Sequence, residues 1–281
     1  MASTEALPLA VLTESDIAGC MTLSAEAGWN QTADDWRLFV RHGTVFGLAG
    51  DGGCPAATGA ILPFSQNFAW VSMVLVSAAR RRQRIGTGIL ETCCAELKRR
   101  GLVAVLDATP AGERVYRPLG FVPTFALTRW QGQGDAGMAL PVGVRPMQAD
   151  DLASVIKIDA AAFGAPRAFL LQSFFARAPE LAFITKDGSG FALARPGRIA
   201  TQIGPIIAVD EDAATALLSA ALGATSGPVF LDAADRWLKL GALLRECGFT
   251  VQRPFLRMAL GRSAPFGDVA RTFVVAGPEF G

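Results

Sequence analysis

At 281 residues the chain exceeds a typical single domain, and with 51% apolar and 18% charged residues it can bury a substantial core rather than remain disordered. A formal net charge of +1 argues against a nucleic-acid partner, since such proteins carry a basic surplus on the binding domain. Five cysteines without a C-x-x-C pair, and a single histidine, His42, give neither a zinc set nor a disulfide framework, so no metal is expected. No basic leader precedes an apolar core at the N-terminus, and no run approaches ~18 uninterrupted apolar residues, so the expectation is no membrane span and a place in the reducing cytoplasm.

From Val11 the sequence VLTESDIAGCMTLSAEAGW is a short strand, an acidic cap and a helix with apolar spacing near 3.6. In the following AGWNQTADDW, Thr32 has the place of a helix N-cap, Asp35 that of its reach-back acid, and Trp36 that of a core residue. His42 stands before a turn glycine, where a histidine is more often at the surface than a base. FAWVSMVLV, Phe68 to Val76, is a buried strand, and Ile85 to Arg100 is a helix closed by Gly101. One face of that helix collects Ile85, Ile89, Leu90, Cys93, Cys94 and Leu97, which makes the two cysteines core rather than nucleophiles. Leu102 to Leu106 is the next strand, too apolar for an edge. Asp107 and Thr109 follow at its C-terminal end, where open α/β sheets place ligands; either equally caps the next turn, with the cap favoured for Thr109. The only tyrosine, Tyr116, lies in GERVYRPLGF.

The stretch 131–143, QGQGDAGMALPVG, has four glycines and little periodicity and reads as a linker or a hairpin-like excursion. On its far side the pattern repeats. VRPMQADDLASVIKIDAAAFG from Val144 echoes the segment from Val11, and LDAADRWLKLGALLRECGF from Leu231 echoes LDATPAGERVYRPLGF from Leu106. The chain is therefore read as a duplicated mixed α/β sheet domain: a first domain at 1–130, the linker at 131–143, a second domain at 144–262, and a tail at 263–281 apolar enough to pack back onto the body.

Between strand and helix in the first half stands RRRQRIGTGIL, from Arg80. The first N–H groups of a helix lack intrahelical partners and carry partial positive charge; glycines allow close approach and arginines add field. A pyrophosphate is the expected guest. A dinucleotide or nucleoside-triphosphate loop is disfavoured, because neither G-x-G-x-x-G nor a Gly-Lys-Ser/Thr ending is present. At the matching junction of the second half stand Asp210, Glu211 and Asp212, which suit a helix N-terminus and repel a pyrophosphate.

Gln83-Arg84-Ile85-Gly86-Thr87-Gly88, preceded by VLV and followed by LDAT and VYRPLGF, resembles the acetyl-CoA signature of the GNAT (general N-acetyltransferase) superfamily. The resemblance implies two tandem GNAT-like acyl-CoA N-acyltransferase domains, the second degenerate, with acetyl-CoA as co-substrate and a small-molecule amine as acceptor, in a monomer or homodimer. Main-chain N–H groups of Arg84 to Gly88 would bind the coenzyme pyrophosphate, with Arg81, Arg82 and Gln83 beside it. Val74, Leu75 and Val76 would pair with the pantetheine arm as an added strand. Arg84 departs from the family pattern, since many members have glycine there. Tyr116 would be the general acid that protonates the leaving thiolate, as a phenol of pKa near ~10 stays protonated at neutral pH. Asp107 is the candidate for the base side. The region after the first helix commonly lines the acceptor pocket in this family, so Trp29, Asn30, Gln31, Asp34 and Asp35, with Thr109, are acceptor-side candidates. The second half carries Trp237 where the first carries Tyr116, and its Arg167 and Arg236 are weaker candidates for meeting an acidic group. A coenzyme-binding sensor with little catalysis is the alternative function.

Overall fold

The computed structural model describes residues 7–281, and the chain forms two compact units, Met1–Leu106 and Asp107–Gly281. In the first, β1 (Leu9–Leu12), α1 (Ile17–Glu26) and α2 (Ala33–His42) precede the strands β2 (Thr44–Ala49), β3 (Pro55–Phe64) and β4 (Phe68–Val76). Helix α3 (Ile85–Arg99) and strand β5 (Val103–Ala108) follow, the last two residues of β5 belonging to the second unit. The strands lie in chain order; β1 to β4 are antiparallel, and β5 is parallel to β4.

Local signals explain these elements. Thr32 and Asp35 form a reciprocal capping box at the start of α2, and Trp36 is fully buried with its indole N–H donated to the Ser24 hydroxyl at 3.0 Å. Ile85, Ile89, Leu90, Cys93 and Leu97 form the buried stripe of α3, while Cys94 is only half-buried. Burial pushes the Cys93 thiol up to about 12, which makes it inert packing.

The irregularity that matters for the site is in β4. Its register against β3 shifts between Thr58↔Leu75 and Ala60↔Ser72, so one extra residue of β4 is accommodated, and Met73 takes φ 53°. The Thr58 hydroxyl donates to the Met73 carbonyl at 2.9 Å and holds the bulge. The β4–β5 ladder runs only from Phe68↔Val103 to Trp70↔Val105.

The second unit contains α4 (Pro110–Tyr116), β6 (Phe121–Gln133), β7 (Val144–Pro146), α5 (Leu152–Phe163), α6 (Ala168–Arg177), β8 (Phe183–Thr185) and β9 (Phe191–Arg195). It continues through β10 (Thr201–Ile207), α7 (Glu211–Ala224), β11 (Pro228–Ala234), α8 (Leu238–Glu246), β12 (Thr250–Leu260) and β13 (Thr272–Val274). Its strand order is β12-β6-β11-β13-β10-β9-β8-β7, with β10 and β11 also paired directly. The core gathers Leu217, Leu218, Leu231, Leu240, Leu244 and Phe273, all fully buried.

The glycine-rich stretch and β6 are both bonded into the second unit. The glycine-rich stretch begins as the end of β6, paired through Gln133↔Pro228, and Asp135 and Gly137 then donate to the carbonyls of Leu222 and Gly223 at the end of α7. Strand β6, counted by repetition with the first half, is hydrogen-bonded to β11 on one side and β12 on the other. Repetition and compactness therefore divide the chain at different places, because the ladder bonds of β6 are made with strands of the second repeat. Among the described residues, no helix is long and apolar enough to cross a membrane.

Candidate functional site

Beyond Trp70, β4 has left its ladder with β5, so Val74, Leu75 and Val76 extend past the last paired residue. An extended guest can add to such a strand through main-chain hydrogen bonds. After Val76 the chain turns through exposed Arg80, Arg81, Arg82, Gln83 and Arg84 and enters α3 at Ile85. Arg82 and Arg84 hold φ 64° and 60°, the left-handed region, and Arg84 is the N-cap. Glycine tolerates that conformation without cost, which accounts for its frequency at this position in the resembling family.

The Gly88 N–H donates to the Arg84 carbonyl at 3.0 Å. Gly88 is thus the first internally bonded residue of α3, with its N–H engaged within the helix. A Cβ there would stand 2.7 Å from the Leu7 side chain, so this glycine serves close packing. The donors ahead of the first helical bond are the N–H groups of Ile85, Gly86 and Thr87. A Cβ at Gly86 would meet only Val76 and Val74, at 3.6 and 3.9 Å. Free helix N–H groups, dipole and clustered arginines suit a pyrophosphate. Arg81 also donates from Nε to the Val76 carbonyl at 3.2 Å, tying the loop to the end of β4.

In the second unit, Thr109 is the N-cap of α4, its hydroxyl accepting from the Gly112 N–H at 3.1 Å. That is the capping role. Half-buried Tyr116 lies over Gly112, where a Cβ would come within 2.9 Å of its ring, and 5.9 Å from the Phe121 ring centroid. Asp107 is fully buried and both its oxygens accept from Arg257, from Nε and Nη2 at 2.8 Å each. Burial pushes its pKa up while the guanidinium opposes the shift. The sequence reading missed Arg257, whose only signal is its place on a strand 150 residues downstream.

The acceptor-side candidates lie apart in character. Asp35 is buried, its carboxylate accepting from the Thr32 N–H at 2.8 Å and the Thr32 hydroxyl at 3.2 Å, so it acts as a cap. Asp34 is exposed and pairs with Arg37. Trp29 is half-buried, with its N–H donated to the Ser24 carbonyl. Asn30 and Gln31 are each only 5% exposed, and the Gln31 Oε1 atom is buried with no hydrogen-bond partner among the described residues. Leaving a buried acceptor unsatisfied costs about 1–3 kcal/mol, so Gln31 stands ready for a donor.

The second half has the same construction with a different outcome. β10 is irregular between Ile203 and Ile206, and its parallel ladder with β11 ends at Ile203↔Leu231. The gap that opens is filled by β13, paired to β10 through Ile206↔Val274 and to β11 through Ala233↔Val274. Gly204, at φ 142°, permits this: a Cβ there would stand 2.1 Å from the Val275 carbonyl oxygen. Trp237 stacks on Phe273 at 4.2 Å and donates its indole N–H to the Thr272 carbonyl at 2.7 Å. Asp210 caps α7 by accepting from the Ala213 N–H, and Glu211 accepts from the N–H groups of Lys239 and Leu240. Arg167 is buried, bound bidentately to Asp159 and to the carbonyls of Phe280 and Gly281; it anchors the tail and is not a surface ion pair. Arg236 is exposed, beside the Phe125 ring.

Comparison with known proteins agrees with both halves. Residues 10–121 match the model of the acetyltransferase (GNAT) family, and residues 155–273 that of an acetyltransferase (GNAT) domain. The holothin acyltransferase of Pseudoalteromonas sp. is 26% identical over 234 residues, covering 81% of this chain and 78% of that protein. The uncharacterised N-acetyltransferase YitH of Bacillus subtilis is 24% identical over 246 residues, covering 85% and 86%. A structure from Pyrococcus horikoshii, solved as a candidate acetyltransferase, superposes with TM-score 0.80 at 19% identity over 100% of this chain and 98% of its own. A tandem GNAT protein from the clavulanic acid biosynthesis pathway superposes with TM-score 0.60 at 14% identity, covering 89% and 97%.

Proposed function

The chain belongs to the GNAT superfamily as a tandem member and is an N-acetyltransferase; on that premise we propose that it moves an acetyl group from acetyl-CoA to a primary amine of a small molecule by direct attack. The observation that carries this reading is the sequence of a bulged, prematurely unpaired β4, an arginine-rich left-handed turn and the open N-terminus of α3. Ile85, Gly86 and Thr87 would hold the pyrophosphate through their N–H groups, with Arg81, Arg82 and Gln83 beside it, and Val74 to Val76 would pair with the pantetheine arm. The second unit's corresponding gap is filled by β13, which supports one acetyl-CoA per chain.

Attack of the neutral amine on the thioester carbonyl forms the C–N bond and breaks the C–S bond; Tyr116 donates its phenolic proton to the departing thiolate, and the proton released from the attacking nitrogen passes to solvent, from which the phenol is restored. Gln31 Oε1 accepts an N–H of the incoming amine and so satisfies its own buried lone pair. Asp107, the base-side candidate, has both carboxylate oxygens engaged by Arg257, so its part is to fix that guanidinium rather than to accept a proton. The Tyr116→Phe variant is expected to lower the rate of thiol release roughly a hundredfold while acetyl-CoA affinity is retained. Equal rates for the variant and the parent across pH would remove Tyr116 from the reaction. Binding of acetyl-CoA with no thiol release against a broad amine panel would replace catalysis by coenzyme sensing.

A further inference from the structure

One face of the second unit's sheet carries more cations than its own chain neutralises. Across the β12–β6 ladder Arg253 stands opposite Arg129, Phe255 opposite Leu127, and Arg257 opposite Phe125. Arg129 is bound bidentately by Asp232, which Gln202 also contacts, and Arg257 is bound bidentately by Asp107. Among the described residues no carboxylate is paired with Arg253, and Asp232, which acts on it electrostatically, is already bound to Arg129. The Arg253 Nε is buried without a hydrogen-bond partner, its guanidinium lies 5.5 Å from the Phe255 ring centroid, and Arg129 lies at the same distance from that ring. Desolvation, and then the charge of Arg129, lower its pKa. Gln252, next in the chain, donates its amide N–H to Gln131 Oε1 at 3.0 Å, and its own Oε1 is buried without a hydrogen-bond partner among the described residues.

Two of these three guanidiniums are neutralised and one is not. A single surplus cation over an aromatic ring matches one monoanion, and the planar guanidinium fork matches a carboxylate. Asp107, at the C-terminal end of β5, ties the same face to the strand end where open sheets receive ligands.

We propose that Arg253 is the counter-ion for the carboxylate of a small ligand of the second unit, of the class of N-acylated amino acids, which is the product class of the transferase reading when its acceptor is an amino acid. The acceptor part of this statement rests on the transferase reading; the carboxylate site does not.

Calorimetric titration of the full chain with the N-acetyl derivatives of glycine, leucine and phenylalanine, each against its neutral C-terminal amide, tests the site without turnover. The acids are expected to bind at least about tenfold more tightly than the amides, as befits a charge-assisted pair. That preference should vanish in Arg253→Met and be partly kept in Arg253→Lys. Equal binding of acid and amide by the parent chain, no binding of either at millimolar concentration, or an acid preference intact in a folded Arg253→Met would overturn it. Thiol release is then compared for amino acids and their decarboxylated amines, and the discrimination should shrink about tenfold in Arg253→Met. Arg253-dependent carboxylate binding with no thiol release from any amine would sink the transferase reading and leave the site. Thiol release that favours carboxylate-free amines would sink the acceptor assignment and leave the transferase reading.

Discussion

Arg84 holds a backbone conformation that a side chain makes costly, at φ 60° on the turn into α3. The left-handed region costs a non-glycine residue about 1–2 kcal/mol, against about 0.5–1 kcal/mol of extra chain entropy lost by glycine. Arg84→Gly is therefore expected to raise stability by about 0.5–1 kcal/mol in urea unfolding, while weakening acetyl-CoA through loss of one positive charge. A loss of stability would show that the arginine side chain makes a contact worth more than the strain. At the same scale, Tyr116 stands out in the sequence as the lone tyrosine of a motif, whereas the Arg257 partner of Asp107 has no such local signal. Nothing in the local sequence links two residues 150 positions apart; only the ladder geometry brings them to 2.8 Å.

Strands and helices differ in how far their neighbours were readable. The period of α3, the capping box of α2 and the acidic cap of α7 are short-range patterns, and each forms as its own residues dictate. The fate of the tail is of another kind. Its apolar character called for packing, yet its insertion as β13 between β10 and β11 depends on a gap made elsewhere by the irregularity of β10. Gly204→Ala would put a methyl group 2.1 Å from the Val275 oxygen at a φ of 142°. It is expected to destabilise the protein by about 2–3 kcal/mol or more, read in urea unfolding. A substitution without effect would mean that β13 contributes little to the second unit. Trp237 bears on the same strand: where the first half has Tyr116, the second has a ring stacked on Phe273 that clamps β13.

For the molecule as a whole, acid is the informative variable. Arg99 and Arg100 hold Glu96 at about 2, Arg145 and the Gln148 N–H hold Asp151 at about 2, and Thr185 and Ser189 hold Asp187 at about 2. Each folded value lies below the ordinary carboxylate value, so the unfolded chain binds protons first. The stability these groups contribute is complete above the ordinary carboxylate range and is lost as pH falls from about 4 towards 2. Urea midpoints should fall across that window, and more shallowly in a Glu96→Gln, Asp151→Asn double variant; an unchanged slope would assign acid lability to other groups.

The sequence by itself determined the duplication, the mixed α/β class, the arginine-rich turn into α3 and the acidic turn that replaces it in the second half. These are readable because helix caps, periodicity and glycine placement act over a few residues. The tertiary structure alone decided that Gly88 packs against Leu7, that β6 bonds to β11 and β12, that β13 fills the second gap, and that Arg253 is unpaired among the described residues. Each of those depends on strand pairing between residues far apart in the chain, and pairing is set by which ladder completes the buried hydrogen bonds rather than by any local pattern.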